Sequence, residues 1–174
     1  NLSNEFVIAV LSKEKFLSLE QSKNTPGHTI KFRQDPLYLD PRHAELGARL
    51  IINIEKLHLS LKLLNLKSSN INDYYSLSSD LGIPQINTDK LQNNIFGIEC
   101  NLEELNGIDF KKGCYIGQEN TARIKLKDKL TKRLFSIEKI EGDFTQENII
   151  KDNNSELGKI LIFDKYPFAI IKFK

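Results

Sequence analysis

Lys111-Lys112-Gly113-Cys114-Tyr115-Ile116-Gly117-Gln118-Glu119, continued by Thr121-Ala122-Arg123, gathers two glycines, a thiol, a phenol, an amide and a carboxylate between flanking cations. A helix packed on a core repeats its apolar residues at three and four, and this run does not. Gly113 and Gly117 point to backbone that takes unusual dihedrals or lies close to something else. From Ile116 onward the residues favour a helix, which sets Cys114 just ahead of a helix start. Unpaired N–H groups and the helix dipole stabilise an anion there, a thiolate included.

This nine-residue run resembles the Lys-Gly-Cys-Tyr-x-Gly-Gln-Glu signature of the YgfZ proteins, folate-binding relatives of the glycine-cleavage T-protein that assist iron–sulfur proteins. A fixed interior Cys makes such a match far more specific than a lone glycine fingerprint. Two further stretches resemble the same family in the expected order: Asp40-Pro41-Arg42 with Leu46-Gly47-Ala48-Arg49, and Leu81-Gly82-Ile83-Pro84. The likeness runs from about Leu37 to the end of the chain. It departs from the family at Gly97, where a Pro is usual, and at Asp128, where a Gly is usual. The resemblance implies the C-terminal portion of a longer protein, with a further N-terminal segment contributing to a folate cavity. The lack of any Met in the 174 residues fits a processed chain or such a fragment.

Composition is that of a globular domain, with 40% hydrophobic and 28% charged residues. The length suits one sizeable core or two small ones. No apolar run approaches a membrane span, so no membrane partner is expected. Cys100 and Cys114 have no CxxC spacing, which favours reduced thiols and a cytoplasmic location over a disulfide. His28, His43 and His58 stand apart from one another, and no metal site is expected. The net charge of +2 is uneven: residues 111–133 carry eight cations against two carboxylates, which leaves the remainder at −4.

Before the signature the pattern predicts an α+β arrangement with a mainly antiparallel sheet. Strands are expected over 5–10, 29–32, 37–39 and 50–54, with a helix over about 13–22 capped by Ser12. Alternating Leu57, Leu59, Leu61 and Leu63 predict a further strand. A helix containing Ile71, Tyr74, Tyr75 and Leu81 ends at Gly82. From about Thr131 short strands over 133–137, 149–151, 158–163 and 168–173 suggest a small barrel-like domain. The predicted domains are therefore 1–130, a partial folate-binding region carrying the signature, and 131–174, a C-terminal β-barrel-like domain. The resemblance adds the T-protein folate-binding fold.

Among single residues Cys114 leads, as a reactive thiol or a transient cluster ligand. The ordinary reading of a free Cys is an inert buried hydrophobe. The resemblance implies that Glu99, like the Glu of the T-protein relatives, grips the pterin ring; a carboxylate matches paired N–H donors as it matches an Arg fork. Without it, Glu99 reads as a surface residue beside an Asn101 cap. Tyr115, Gln118, Arg123, Lys125 and Lys127 complete the candidate folate site, the lysines for a poly-glutamate tail. Gln118 also reads as loop support, Arg123 as an i,i+4 partner of Glu119. The basic run also reads as a solvated face. Arg42 and Arg49 read first as partners of carboxylates that fix a turn, and second as anion ligands.

The resemblance implies a folate-binding accessory protein in iron–sulfur cluster assembly or repair. Its cofactor is tetrahydrofolate or a derivative, and its partners are iron–sulfur clients such as tRNA-modifying enzymes. An aminomethyltransferase or demethylase using tetrahydrofolate is the enzymatic alternative. The T-protein's catalytic Asp comes from an N-terminal part absent here. A nucleic-acid-binding module ranks last, since the basic run holds no interleaved aromatic apart from Phe135.

Overall fold

A computed structural model describes residues 4–114, 116, 118–126, 130–141, 148–153 and 155–173. The chain forms two compact units, Asn1–Ile71 and Asn72–Lys174.

In the first unit, strands β1 (Phe6–Leu11), β2 (Thr29–Phe32), β3 (Asp35–Leu39) and β4 (Ala48–Asn53) form one antiparallel sheet in the order β1-β4-β3-β2. Alternation decides which face is buried: Ala48, Leu50 and Ile52 of β4 point inward with Leu37 and Leu39 of β3. Helix α1 (Lys13–Leu17) begins where the Ser12 hydroxyl accepts from the Lys15 N–H at 3.2 Å, and it drives Phe16 fully into that core. It is shorter than the sequence predicts.

The strand expected at residues 57–63 is a helix, α2 (Ile54–Leu63). Asn53 caps it by accepting from the Glu55 N–H at 3.0 Å. Leu57, Ser60, Leu61 and Leu64 turn inward at helical spacing, while Leu59 and Leu63 face out. Every-second leucine contains the i,i+4 pair Leu57–Leu61, so both periodicities fit; no β-branched residue between Glu55 and Leu66 favours a strand. Asn65 in left-handed backbone ends the helix, with Leu66 N–H donating to the Leu61 carbonyl and Asn65 N–H to Lys62.

The second unit opens with α3 (Ile71–Asp80), which closes at Gly82 (φ 71°) as expected from the sequence. Turns through residues 96–106 lead to α4 (Gln118–Leu126). Strands β5 (Lys132–Ser136), β6 (Ile149–Asp152), β7 (Ser155–Ile162) and β8 (Phe168–Lys172) then form an antiparallel sheet in the order β5-β8-β7-β6. Among the described residues this sheet is open, with β5 and β6 as its edges, so the barrel-like expectation gives way to a plain four-stranded sheet. Leu134, Ile162 and Phe168 pack with Leu91, Ile95 and Cys100. That packing ties the segment before the signature to the C-terminal strands. The boundary between the two units falls after residue 71.

Candidate functional site

Three short features of the second unit bear on the signature: the Cys114 loop, helix α4, and the turn carrying Glu99 to Glu104. The loop is open. Cys114 is exposed, four residues ahead of the first residue of α4, as the sequence predicts. Lys111 and Lys112 are exposed beside it, and the Lys111 N–H donates to the Asp109 carboxylate at 2.8 Å. Gly113 has no left-handed φ, and a Cβ built there would meet nothing within 4 Å. Packing among the described residues therefore gives no reason for a glycine. Tyr115, Gly117 and Lys127 lie outside the described residues. Gln118 begins α4, and Arg123 is exposed on it.

The turn is closed. Glu99 is only 6% exposed, and one oxygen of its carboxylate accepts from the Phe96 N–H at 2.9 Å. Its other oxygen lies 3.4 Å from the Lys132 ammonium. The Glu99 carbonyl accepts from the Leu134 N–H at 2.8 Å, which sews the turn to β5. Asn101, in left-handed backbone, donates to the Leu134 carbonyl at 3.0 Å and accepts from Arg133 at 3.1 Å. Arg133 also pairs with Glu104, and Lys125 pairs with Glu103. The Lys125 ammonium sits 4.3 Å from the centroid of the Phe110 ring.

The basic run thus meets carboxylates at Lys125, Lys132 and Arg133. Lys125 and Leu126 form the end of helix α4. Glu103 and Glu104 carry no role in the sequence reading. The signal that points to them is the acidic excess outside residues 111–133.

Cys100 contrasts with Cys114. It is half-buried against Leu134, Ile162 and Phe168, and burial, helped by the neighbouring Glu99 carboxylate, pushes its thiol up to about 11. It stays protonated at neutral pH and serves as core. Among the described residues no group of three or more His, Cys, Asp or Glu side chains is arranged to hold a metal ion. No helix among them is long and apolar enough to cross a membrane.

The second landmark, in the first unit, is consumed by the fold. Asp40 is 1% exposed and accepts from the Arg42 N–H, from Arg42 Nε and Nη2 at 3.0 and 2.9 Å, and from Arg49 Nε at 2.8 Å. Burial raises the Asp40 carboxyl, and the hydrogen bonds from Arg42 and Arg49 outweigh it, leaving the group below its ordinary value of 3.8. The first reading of both arginines, as partners that fix the turn, is the arrangement found.

By architecture and site the molecule is a two-unit antiparallel α+β chain that displays one cysteine on an open loop at the head of a helix. No family model matches it. Its sequence is similar to proteins named iron–sulfur cluster assembly factor IBA57, mitochondrial. The Dictyostelium discoideum homolog is 33% identical over 137 residues, 76% of this chain and 34% of the relative. The Mus musculus protein is 37% identical over 106 residues, 61% of this chain and 28% of the relative. The Homo sapiens protein is 36% identical over 101 residues, 58% of this chain and 28% of the relative. The chain thus spans about a third, or less, of the length of these relatives. Their names also correct the expected location: these relatives are mitochondrial, and reduced thiols, on which the cytoplasmic reading rested, do not distinguish the two compartments.

Proposed function

We propose that the chain is part of an iron–sulfur cluster assembly factor of the YgfZ type, working in the mitochondrion with iron–sulfur assembly and client proteins. The observation that carries the reading is the exposed Cys114 beside a glycine that none of the described residues crowds. An exposed thiol on bare backbone lets a partner's cluster approach to bonding distance. The similarity to assembly factors supports this use over general electrophile chemistry. Cys114 would serve as a transient ligand of the cluster, which is cargo here.

Tetrahydrofolate or a derivative is the cofactor proposed for the complete protein. Gln118 and Arg123 are the described candidates at the head and on the exposed side of α4. The fit of Glu99 and Lys125 to that group is poor as they stand. The Glu99 carboxylate is turned to the Phe96 N–H and Lys132, and Lys125 to Glu103. No step is therefore derived through folate, and aminomethyl transfer has no acid or base of this chain assigned to it.

The test is genetic. A full-length protein containing this segment should restore the activity of an iron–sulfur enzyme in cells lacking their own factor. The same protein with Cys114→Ala should accumulate normally and restore nothing. Failure of the unaltered protein removes the assembly reading; full restoration by Cys114→Ala removes the thiol from it.

A further inference from the structure

We propose that Lys125 is the positioning residue of the Cys114 loop, its ammonium clasping the chain that enters the loop to the helix that leaves it. The inference deepens the assembly reading of Cys114 and rests on it. Lys125 stands in the last turn of α4, which follows the loop. Its ammonium pairs with the Glu103 carboxylate and lies 4.3 Å from the centroid of the Phe110 ring. Phe110 is half-buried and directly precedes Lys111 and Lys112, so it marks the entry to the loop. One side chain thus holds the two ends of the loop together at its base, while Cys114 itself stays exposed.

The turn that carries Glu103 is fixed on its own account. The Leu105 N–H donates to the Asn101 carbonyl at 2.9 Å, and the Gly107 and Ile108 N–H groups both donate to the Leu102 carbonyl, at 2.6 and 3.2 Å. Glu99 and Asn101 sew the same turn to Leu134 of β5, and Arg133 pairs with Glu104. Helix α4 has a weaker hold. It reads Gln-Glu-Asn-Thr-Ala-Arg-Ile-Lys-Leu, and none of its described side chains is buried. A helix in a folded protein is held mainly by the packing of an apolar face. With so little of that, α4 depends on polar ties, and Lys125 supplies one that reaches a fixed turn.

Three effects meet at this one ammonium. It faces a carboxylate, it lies against the negative face of an aromatic ring, and it sits at the helix end where the dipole favours a cation. The Lys125 and Glu103 side chains are 43% and 34% exposed, so the ion pair alone is weak and sensitive to salt. Its consequence is geometric. Closing the loop at its base removes the conformations in which Phe110 and α4 drift apart. A thiol that must meet a partner's cluster gains from such placement, because the loop is ordered before the partner arrives.

A nitroxide attached to Cys114 of the 174-residue chain, in a Cys100→Ala background, reads the placement. Its spectrum should show the broad lines of a restrained label. Lys125→Met keeps the apolar stem, removes the charge and should narrow the lines, and Glu103→Gln should narrow them from the other side of the pair. Lys125→Arg keeps the charge and stacks on rings, so it should preserve the broad spectrum. Raising salt from about 0.1 to 1 M shortens the screening length from about 10 to 3 Å. That change should move the unaltered chain toward the Lys125→Met spectrum and leave Lys125→Met as it was. Lys62→Met, at an exposed position of α2, should match the unaltered chain. In the full-length protein Lys125→Met should restore about two- to fivefold less iron–sulfur enzyme activity, the size of one exposed ion pair, and Lys125→Arg should restore all of it. Identical spectra for Lys125→Met and the unaltered chain overturn the clasp, as does a Lys125→Arg spectrum as narrow as that of Lys125→Met. Narrowed lines with undiminished restoration by Lys125→Met remove the positioning role. Full restoration by Cys114→Ala instead removes the assembly role of the thiol and leaves the spectral result standing, so the two failures are told apart.

Discussion

Gly47 and Gly113 lie in two of the sequence landmarks of this chain, and an added methyl group would meet opposite surroundings at each. At Gly47, with φ at 78°, a Cβ would sit 2.0 Å from the Leu11 carbonyl oxygen. At Gly113 it would meet none of the described residues within 4 Å. The charged neighbours divide the same way. Asp40, Arg42 and Arg49 spend their polar groups on one another, whereas Cys114 stands exposed. One landmark builds the fold and the other is presented by it. Similar-looking motifs therefore need separate tests, because a motif says nothing by itself about whether its residues face inward.

The largest effect is expected at the Asp40 landmark. Asp40→Asn leaves two guanidinium groups facing a neutral amide at a buried position. Breaking a buried ion pair costs about 3–5 kcal/mol, so urea unfolding of the first unit should shift by about 3 kcal/mol. The sign with pH follows from the lowered carboxyl: its folded value lies below the unfolded one. Its stabilisation is present above 3.8 and is lost as pH falls through the folded value. The difference between Asp40→Asn and the unaltered chain should be flat near neutrality and narrow below about pH 4. An unchanged difference at low pH would remove the charge from the explanation.

The two glycines give the next test. Gly47→Ala forces a side chain into left-handed backbone against a carbonyl oxygen, a loss of about 1–3 kcal/mol or more. Gly113→Ala should stay within about 0.5 kcal/mol of the unaltered chain. Equal losses at both positions would erase the contrast. Smaller again is Glu99→Gln, which keeps an acceptor for the Phe96 N–H and weakens the pairing with Lys132. The expected loss is about 1 kcal/mol, read by denaturant unfolding. If stability is unchanged while reduced folate binds more weakly to the full-length protein, Glu99 belongs to a ligand site instead of to the turn.

Much of the first unit was legible before any coordinates. Strands β1 to β4, the Ser12 cap and the arginine-fixed turn each follow from local pattern, because each shows in the residue types of its own short stretch. Helix α2 was misread because four leucines at every second position satisfy both a strand and a helix. The signal that decides lay in Asn53 and in the lack of β-branched residues. The place of Cys114 ahead of α4 was legible from the helix-forming residues that follow it; its exposure, and the uncrowded backbone at Gly113, were not. The partners of the basic run were not. Glu103 and Glu104 stand more than twenty residues before the cations they meet, and only the folded turn brings them together. The open C-terminal sheet was likewise hidden, since strand count and spacing do not say whether two edges meet.

Iodoacetamide labelling of the native chain, followed separately at Cys114 and Cys100, most directly tests the claim that the signature loop is open and the turn closed. At pH 8 Cys114 should react at least about tenfold faster, because Cys100 is held in the core with its thiol pushed up to about 11. In urea, where burial is gone, the two rates should converge. Equal rates in the native chain, or a faster Cys100, would contradict the account.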